Sequence, residues 1–193
     1  MTLLIIYYWL VLKIAKFSKI VLIGDGAVGK TALRNNFMGK GFTSNYLMTL
    51  GADMSSKLIE ELDLKYQIWD MAGQPKFKEV RRMFYNGSSG AILVYDVTRN
   101  DSYENVTKWL MEIHRNLPKK PISVVLLGNK SDLRGVVSHS LSSKDGRILA
   151  KGLTEFYAQN KWEIPYFETS AKTGLNVEEA FLRLGEMILA NQN

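Results

Sequence analysis

The sequence predicts an α/β fold: a mainly parallel six-stranded sheet with one antiparallel strand, flanked by about five helices. Three observations predict it. Apolar strand-like runs alternate with amphipathic helical segments along most of the chain, the pattern that builds a doubly wound parallel sheet. Residues 90–97 (GAILVYDV) form a near-continuous apolar run of the kind buried on both faces, and residues 122–128 read the same way. A glycine-rich loop, GDGAVGKT at 24–31, lies directly between the apolar run 20–23 and the helix-prone ALRNNFM. With 193 residues, 46% of them hydrophobic, the chain has material for one proper core and no case for a second domain.

The loop 24–31 fits GxxxxGK[ST], with Gly24, Gly29, Lys30 and Thr31 at the specified positions. Glycines let the backbone turn tightly and bring successive N–H groups against phosphate oxygens. The following helix turns its positive N-terminus toward the same anion. Lys30 is expected to reach the outer phosphates and the Thr31 hydroxyl to hold Mg²⁺, as in a P-loop NTPase. A short helix over 31–38 is stopped by Gly39 and Gly41, and a polar loop over 40–50 follows. Leu62, Leu64, Tyr66 and Ile68 alternate with Asp63, Lys65 and Gln67, the period of a strand with one wet face. Residues 54–59, joined to it through Glu60 and Glu61, make an antiparallel hairpin the expected pairing. DMAGQ, 70–74, stands at the end of that strand.

After the strand over 90–97, a helix is expected from Asp101, where Asp101 and Glu104 have capping-box spacing and Val106, Trp109, Leu110, Ile113 and Leu117 mark one apolar stripe. Pro118 and Pro121 bracket the turn into the strand over 122–128, which ends in NKSD, 129–132. A helix over about 143–160 leads to a short strand, 166–168, and to TSAK, 169–172. Asn176 and Glu179 resemble a capping pair opening a last helix with Val177, Ala180, Phe181, Leu184 and Ile188 on one side. Every polar motif thus begins where an apolar strand stops. In such a sheet ligands sit at the carboxyl ends of the strands, so four loops are expected to converge on one rim.

Composition narrows the partners. The formal charge of +6 is compatible with an anionic partner, but the basic residues are spread out and form no aromatic-interleaved stripe, so nucleic acid is not expected. With no cysteine, disulfides, thiolate zinc sites, a cysteine nucleophile, prenylation and palmitoylation of this chain are excluded. Residues 3–12 (LLIIYYWLVL) are ten consecutive apolar residues. As a helix they span only about 15 Å against a hydrocarbon core of about 30 Å. Three readings of residues 1–16 stay open: a shallow membrane anchor, an extra packed segment, or an over-extended start.

The motifs GDGAVGKT, WDMAGQ, GAILVYDVT, GNKSD and ETSAKTGLNVEEAF, in this order and spacing, resemble the Ras-superfamily small GTPases, closest to their Rab branch, over residues 17–189. The resemblance implies a GTPase domain over 17–193 that binds GTP or GDP with Mg²⁺ and hydrolyses GTP slowly without an activating partner. It implies that the phosphate loop, Gly24, Asp25, Gly26, Ala27, Val28, Gly29, Lys30, Thr31 and Ala32, cradles the phosphates. Asn129 and Asp132 would read guanine, with Lys130 along the base and Ser170, Ala171 and Lys172 completing that pocket. Thr31, Thr49 and Asp70 would hold Mg²⁺, and Gly73 would sense the γ-phosphate. Gln74 would orient the attacking water, with Lys30 and Thr49 as the other catalytic residues. Phe42 would lie against the base and Tyr46 over the phosphates. Gly26 leaves room for Gln74 and for an arginine supplied by a partner. The implied partners are a GTPase-activating protein, an exchange factor and effectors. The implied location is cytoplasmic, with peripheral contact on the cytoplasmic face of a membrane through residues 1–12 under the anchor reading.

Other features fit less directly. No arginine matches a finger supplied in cis, and Arg81 and Arg82 read as solvated or partner-facing charge on the helix after DMAGQ. His114 and His139 are isolated. Trp69 and Met54 fit equally a core position or an effector-facing patch. Pro75 stands where relatives usually carry an acidic residue, and the final ANQN offers no lipid-acceptor cysteine. Pro75 favours one alternative, a nucleotide-locked scaffold with negligible turnover, which Gly26, Thr49 and Gln74 argue against. A phosphate-loop kinase would need an acceptor lid, and NKSD and TSAK speak against it.

Overall fold

The structure, a computed structural model, describes residues 15–43, 48–117, 122–157 and 163–192. Six strands form one sheet: β1 (Lys16–Ile23), β2 (Ala52–Ile59), β3 (Leu64–Met71), β4 (Ser88–Asp96), β5 (Ser123–Asn129) and β6 (Tyr166–Glu168). Their spatial order is β2-β3-β1-β4-β5-β6. All neighbours run parallel except β2 and β3, whose antiparallel register places Ala52 opposite Met71 and Ile59 opposite Leu64. The described residues contain five helices: α1 (Lys30–Phe37), α2 (Lys78–Tyr85), α3 (Asn100–Glu104, resuming as Val106–Asn116), α4 (Ser143–Tyr157) and α5 (Val177–Ala190). The break in α3 leaves its ladder intact, because the Asn105 N–H donates to Asp101 O (3.0 Å) and its carbonyl accepts from Trp109 N–H (3.1 Å). This is the α/β class the sequence predicts.

Strand period two explains why the central runs are apolar throughout. In β1, Ile20 and Leu22 face one layer, with Leu33, Phe37, Phe181 and Leu184 of α1 and α5. Val21 and Ile23 face the other, with Val106, Leu110, Ile113 and Leu153 of α3 and α4. Both faces are therefore dry, and each fully buried side chain contributes about 1.5–3 kcal/mol of transfer free energy. Phe37 and Phe181 stack at 3.9 Å to lock α1 onto α5.

Several local expectations need correction. Leu62 belongs not to a strand but to a 3-10 turn, Glu60–Leu62, closed by Asp63 in the left-handed region (φ 48). β3 begins at Leu64 and runs on through Met71, because pairing with β1 continues to Leu22 opposite Asp70. Asp70 is therefore a strand residue. Neither expected capping pair caps: α3 and α5 have no side-chain cap bond. The Asp101 carboxylate instead accepts from Arg99, and Asn176 Nδ2 donates to Glu168 O (2.8 Å). A reciprocal cap does open α4, where Ser142 N–H donates to Asp145 Oδ2 (2.8 Å) and Asp145 N–H to Ser142 Oγ (3.3 Å). Residues 1–14, Tyr46, Pro118, Pro121 and the expected end of α4 beyond Tyr157 lie outside the described residues.

Candidate functional site

Because β1, β3, β4, β5 and β6 are parallel, their carboxyl ends share one edge of the sheet. The loop 24–29 leaves β1 there and turns into α1. Among the described residues no backbone carbonyl accepts from the N–H groups of residues 26–29. The loop is braced from behind by α3: Asp25 Oδ1 accepts from Trp109 Nε1 (2.7 Å) and Oδ2 from Asn105 Nδ2 (2.8 Å). Lys30 is 6% exposed, and its Nζ donates to the carbonyls of Gly24 and Asp25, both at 2.7 Å. An ammonium has three donors, so one is left to face the cavity that Lys30 lines. Burial lowers the Lys30 pKa to about 8, with the Asp70 and Asp25 charges opposing that shift.

Beside Lys30, three elements meet. Thr31 Oγ1, at the start of α1, donates to Asp70 Oδ2 of β3 at 2.5 Å and lies 3.0 Å from Thr49 Oγ1. Asp70 is fully buried, and its other oxygen, Oδ1, has no hydrogen-bond partner among the described residues. Burial pushes the Asp70 carboxyl up, against the Thr31 hydroxyl bond and the charges of Lys30 and Arg34. Arg34 joins this group although no sequence motif includes it. It sits one turn beyond Thr31 on the same helix face, buried, with Nη1 2.5 Å from Asp53 Oδ2 and 4.0 Å from Asp70 Oδ2. Only the i, i+3 spacing from Thr31 hints at it in the sequence.

A cavity of about 310 Å³ fills the space between the loop, α1 and DMAGQ, lined among others by Lys30, Thr31, Phe42, Thr49, Gly73 and Gln74. Phe42 is 46% exposed at its mouth. Gly73 is packed so closely on the phosphate loop that an added Cβ would lie 2.4 Å from the Asp25 carbonyl carbon. A Cβ on Gly26 would meet Gln74 Nε2 at 3.5 Å, so the Gln74 amide lies directly over Gly26. Gln74 Oε1 is buried without a hydrogen-bond partner among the described residues.

The NKSD and TSAK loops join at the same edge, but Asn129 does more structural work than its sequence motif suggests. Its Nδ2 donates to Val28 O (2.8 Å), and its Oδ1 accepts from Ala171 N–H (3.1 Å) and Thr169 Oγ1 (3.3 Å). It thereby ties the phosphate loop to TSAK, and the N–H of Ala171, a residue expected in the base pocket, is engaged with Asn129. Ser170 Oγ donates to Asp132 Oδ1 (2.6 Å), holding that carboxylate in place while its second oxygen has no partner among the described residues. Lys130, in the left-handed region, reaches the buried Asp96 carboxylate at 2.6 Å while lining the cavity. Lys172 is exposed.

Two arginines change meaning in three dimensions. Arg81 is not solvated: it is 2% exposed, forks onto both oxygens of Glu112 (2.8 and 3.0 Å) and donates to the carbonyls of Ala72 (3.0 Å) and Gln74 (2.9 Å). Trp109 packs under its guanidinium at 4.5 Å. Arg81 and Tyr85, four residues apart, share the face of α2 that docks on α3 and are buried by it, whereas Arg82 remains exposed. Arg99, just past β4, donates to Gly26 O at 2.8 Å, which puts a cation at the lip of the phosphate loop. Trp69 stacks on Phe84 (4.8 Å) while Met54 is half exposed, so the two divide between packing and surface.

Comparison with known proteins agrees with this geometry. The model of the Ras family matches residues 19–190. The chain is 38% identical to Ras-related protein Rab7A of Mesembryanthemum crystallinum over 92% of this chain and 84% of that protein. It is 40% identical to Ras-related protein Rab-2B of Dictyostelium discoideum, over 89% of this chain and 80% of that one. It is 39% identical to Ras-related protein Rab-10 of Diplobatis ommata, with the same coverages of 89% and 80%.

Proposed function

The chain belongs to the Ras family of small GTPases, in its Rab branch, and from that premise we propose that it is a switch that binds GTP and GDP with Mg²⁺ and hydrolyses GTP to GDP and phosphate. One observation carries the reading: Thr31, Thr49 and Asp70, from three separate elements, meet at one lip of the phosphate loop, and a buried carboxylate oxygen there lacks a hydrogen-bond partner among the described residues. Two hydroxyls and a carboxylate are the hard oxygen donors that suit Mg²⁺, so these three residues would hold it. When bound, the ion supplies charge neutralisation for phosphate oxygens.

The chain's own residues do the rest. The loop 24–31 cradles the phosphates with its N–H groups, and Lys30 contributes its remaining donor. The free oxygen of Asp132 accepts from the guanine edge, which adenine cannot match. Gln74, held over Gly26, orients the attacking water, and the packing of Gly73 on the loop couples DMAGQ to the outer phosphate. Ordering of the segments around Thr49 and Gln74 is what a partner would recognise, and hydrolysis would release it. The reading extends to regulators, effectors and a role in membrane traffic, supported by the Rab-named relatives. No helix among the described residues is long and apolar enough to cross a membrane. The GTPase domain is proposed to span 17–193, with residues 1–12 offering peripheral membrane contact.

Single-turnover hydrolysis of GTP with Mg²⁺, with ATP in parallel and Gln74→Leu as control, tests this. GTP-only phosphate release that the substitution abolishes is the expected result. Binding of GTP with no release, even with an activating partner, would replace the switch by a nucleotide-locked scaffold.

A further inference from the structure

A second concavity, a cleft of about 910 Å³, opens between α2 and α3 next to Gln74. Each of its acidic groups is paired, Asp25 and Glu112 from inside the protein and Glu79 with the exposed Arg82. Asp25 is held by Trp109 and Asn105, Glu112 by Arg81 and by Tyr85 Oη (2.8 Å), and Glu79 by Arg82 (3.1 Å). Arg99 is turned toward Asp101 and Gly26. What remains is cationic. Lys78, at the first turn of α2, and Arg115, near the end of α3, are exposed and have no ion-pair or hydrogen-bond partner among the described residues. Lys108 is exposed and donates only to Asn105 Oδ1 (2.7 Å). Pro75 leaves the rim beside Gln74 without charge.

We propose that this cleft is a docking surface for an extended acidic segment of a partner protein. Lys108 and Arg115 are seven residues apart, two helical turns on one face, hence about 10.5 Å along the axis. A segment extended as a polyproline-II helix rises about 3.1 Å per residue with three residues per turn, so carboxylates at every third position share one face at about 9.3 Å spacing and meet both cations, with Lys78 facing them from the opposite wall. Glu112 lies between the two α3 cations and is a lining residue of the cleft. Separated carboxylates bracket it. The walls also recess the cations into a concavity, which admits a chain more readily than a plane.

The proposal does not depend on nucleotide turnover and is tested by binding alone. The full chain is titrated into a fluorescein-labelled peptide of Gly and Ser with Glu at every third position, with the Gln-for-Glu peptide as control. Expected is salt-sensitive binding of the Glu peptide only, weakened about threefold or more in the Lys108→Gln/Arg115→Gln double variant, since each exposed charge pair contributes modestly and two add. The Lys144→Gln/Lys151→Gln variant, with the same charge lost from α4, should bind as the parent does. Equal weakening by both double variants, no weakening by either, or no binding of the Glu peptide would overturn the proposal. So would co-sedimentation with phosphatidylserine vesicles that depends on Lys108 and Arg115 where the peptide does not bind.

Discussion

The Arg81 guanidinium holds the backbone carbonyl of Gln74 at 2.9 Å from inside the protein. The same group forks onto Glu112 of α3 and rests on Trp109, whose indole N–H holds Asp25 of the phosphate loop. One helix, α3, therefore fixes both the loop that would cradle phosphate and the segment that carries Gln74. The joints of that arrangement, and of the site it supports, can be broken one at a time.

Arg81→Ala leaves Glu112, whose side chain is only 12% exposed, without its cation. Breaking a buried pair from one side costs about 3–5 kcal/mol, whereas Arg82→Ala, on the exposed face, should stay within about 0.5 kcal/mol. Arg81→Lys should fall between, because an ammonium cannot span two carboxylate oxygens and two carbonyls. Urea unfolding of the GDP-loaded protein reads all three, and equal effects of the Arg81 and Arg82 substitutions would refute the clamp.

Gly26→Ala places a methyl in ordinary contact with the Gln74 amide, but the branched carbons of Gly26→Val must displace it. Single-turnover GTP hydrolysis should be little changed in the first and about 10²-fold slower in the second, the scale of a misplacement of about 1 Å. GDP affinity should change far less than the rate. Comparable losses in affinity and rate would mean that the loop, not Gln74, was disturbed.

Lys30 titrates near 8 in the free protein because burial disfavours its charge. Bound phosphate would favour the charged form and raise that value, so binding above it must take up a proton. GDP affinity should be flat below this pH and fall as pH rises through it, by at most about tenfold per unit. The linkage to folding has the opposite sense: with its folded pKa below 10.5, Lys30 makes stability rise with pH between about 8 and 10.5. Isothermal titration on either side of that value, with Lys30→Met as the pH-independent control, separates the two. An affinity that climbs with pH would refute the assignment.

Asn129 and Asp132 should fail differently. Asn129→Ala strands the Val28 carbonyl and the Ala171 N–H, at about 1–3 kcal/mol for each buried group left unpaired, so GDP should dissociate at least about tenfold faster and the apo protein lose stability. Asp132→Asn keeps the fold but trades an acceptor for a donor, which suits the second carbonyl of xanthine in place of the guanine amine. Exchange of labelled GDP and XDP on both variants is the measurement. Unaltered base preference in Asp132→Asn would remove Asp132 from the base-reading role.

Much of this was legible in one dimension, for identifiable reasons. The phosphate loop follows from glycine geometry and the helix after it, and the parallel sheet follows from apolar runs with no wet face. The two failed capping pairs show the limit of spacing arguments. Asp101 and Asn176 have stronger partners, Arg99 close by in the chain and the Glu168 carbonyl brought in by β6. The true cap, Ser142 with Asp145, carried the same S-x-x-acid signal and was readable.

By itself the sequence determined which residues are polar at the ends of apolar strands, and a parallel sheet then has to collect those residues on one edge. Only the tertiary structure decided how each is held. Arg81 and Arg82 are adjacent and chemically identical, yet one is buried against Glu112 and Trp109 and the other faces solvent. That difference depends on the face that α2 presents to α3, a contact between segments thirty-one residues apart. Burial, and with it the strength of every charge in the site, is a property of packing, so it is absent from the chain until the elements have docked.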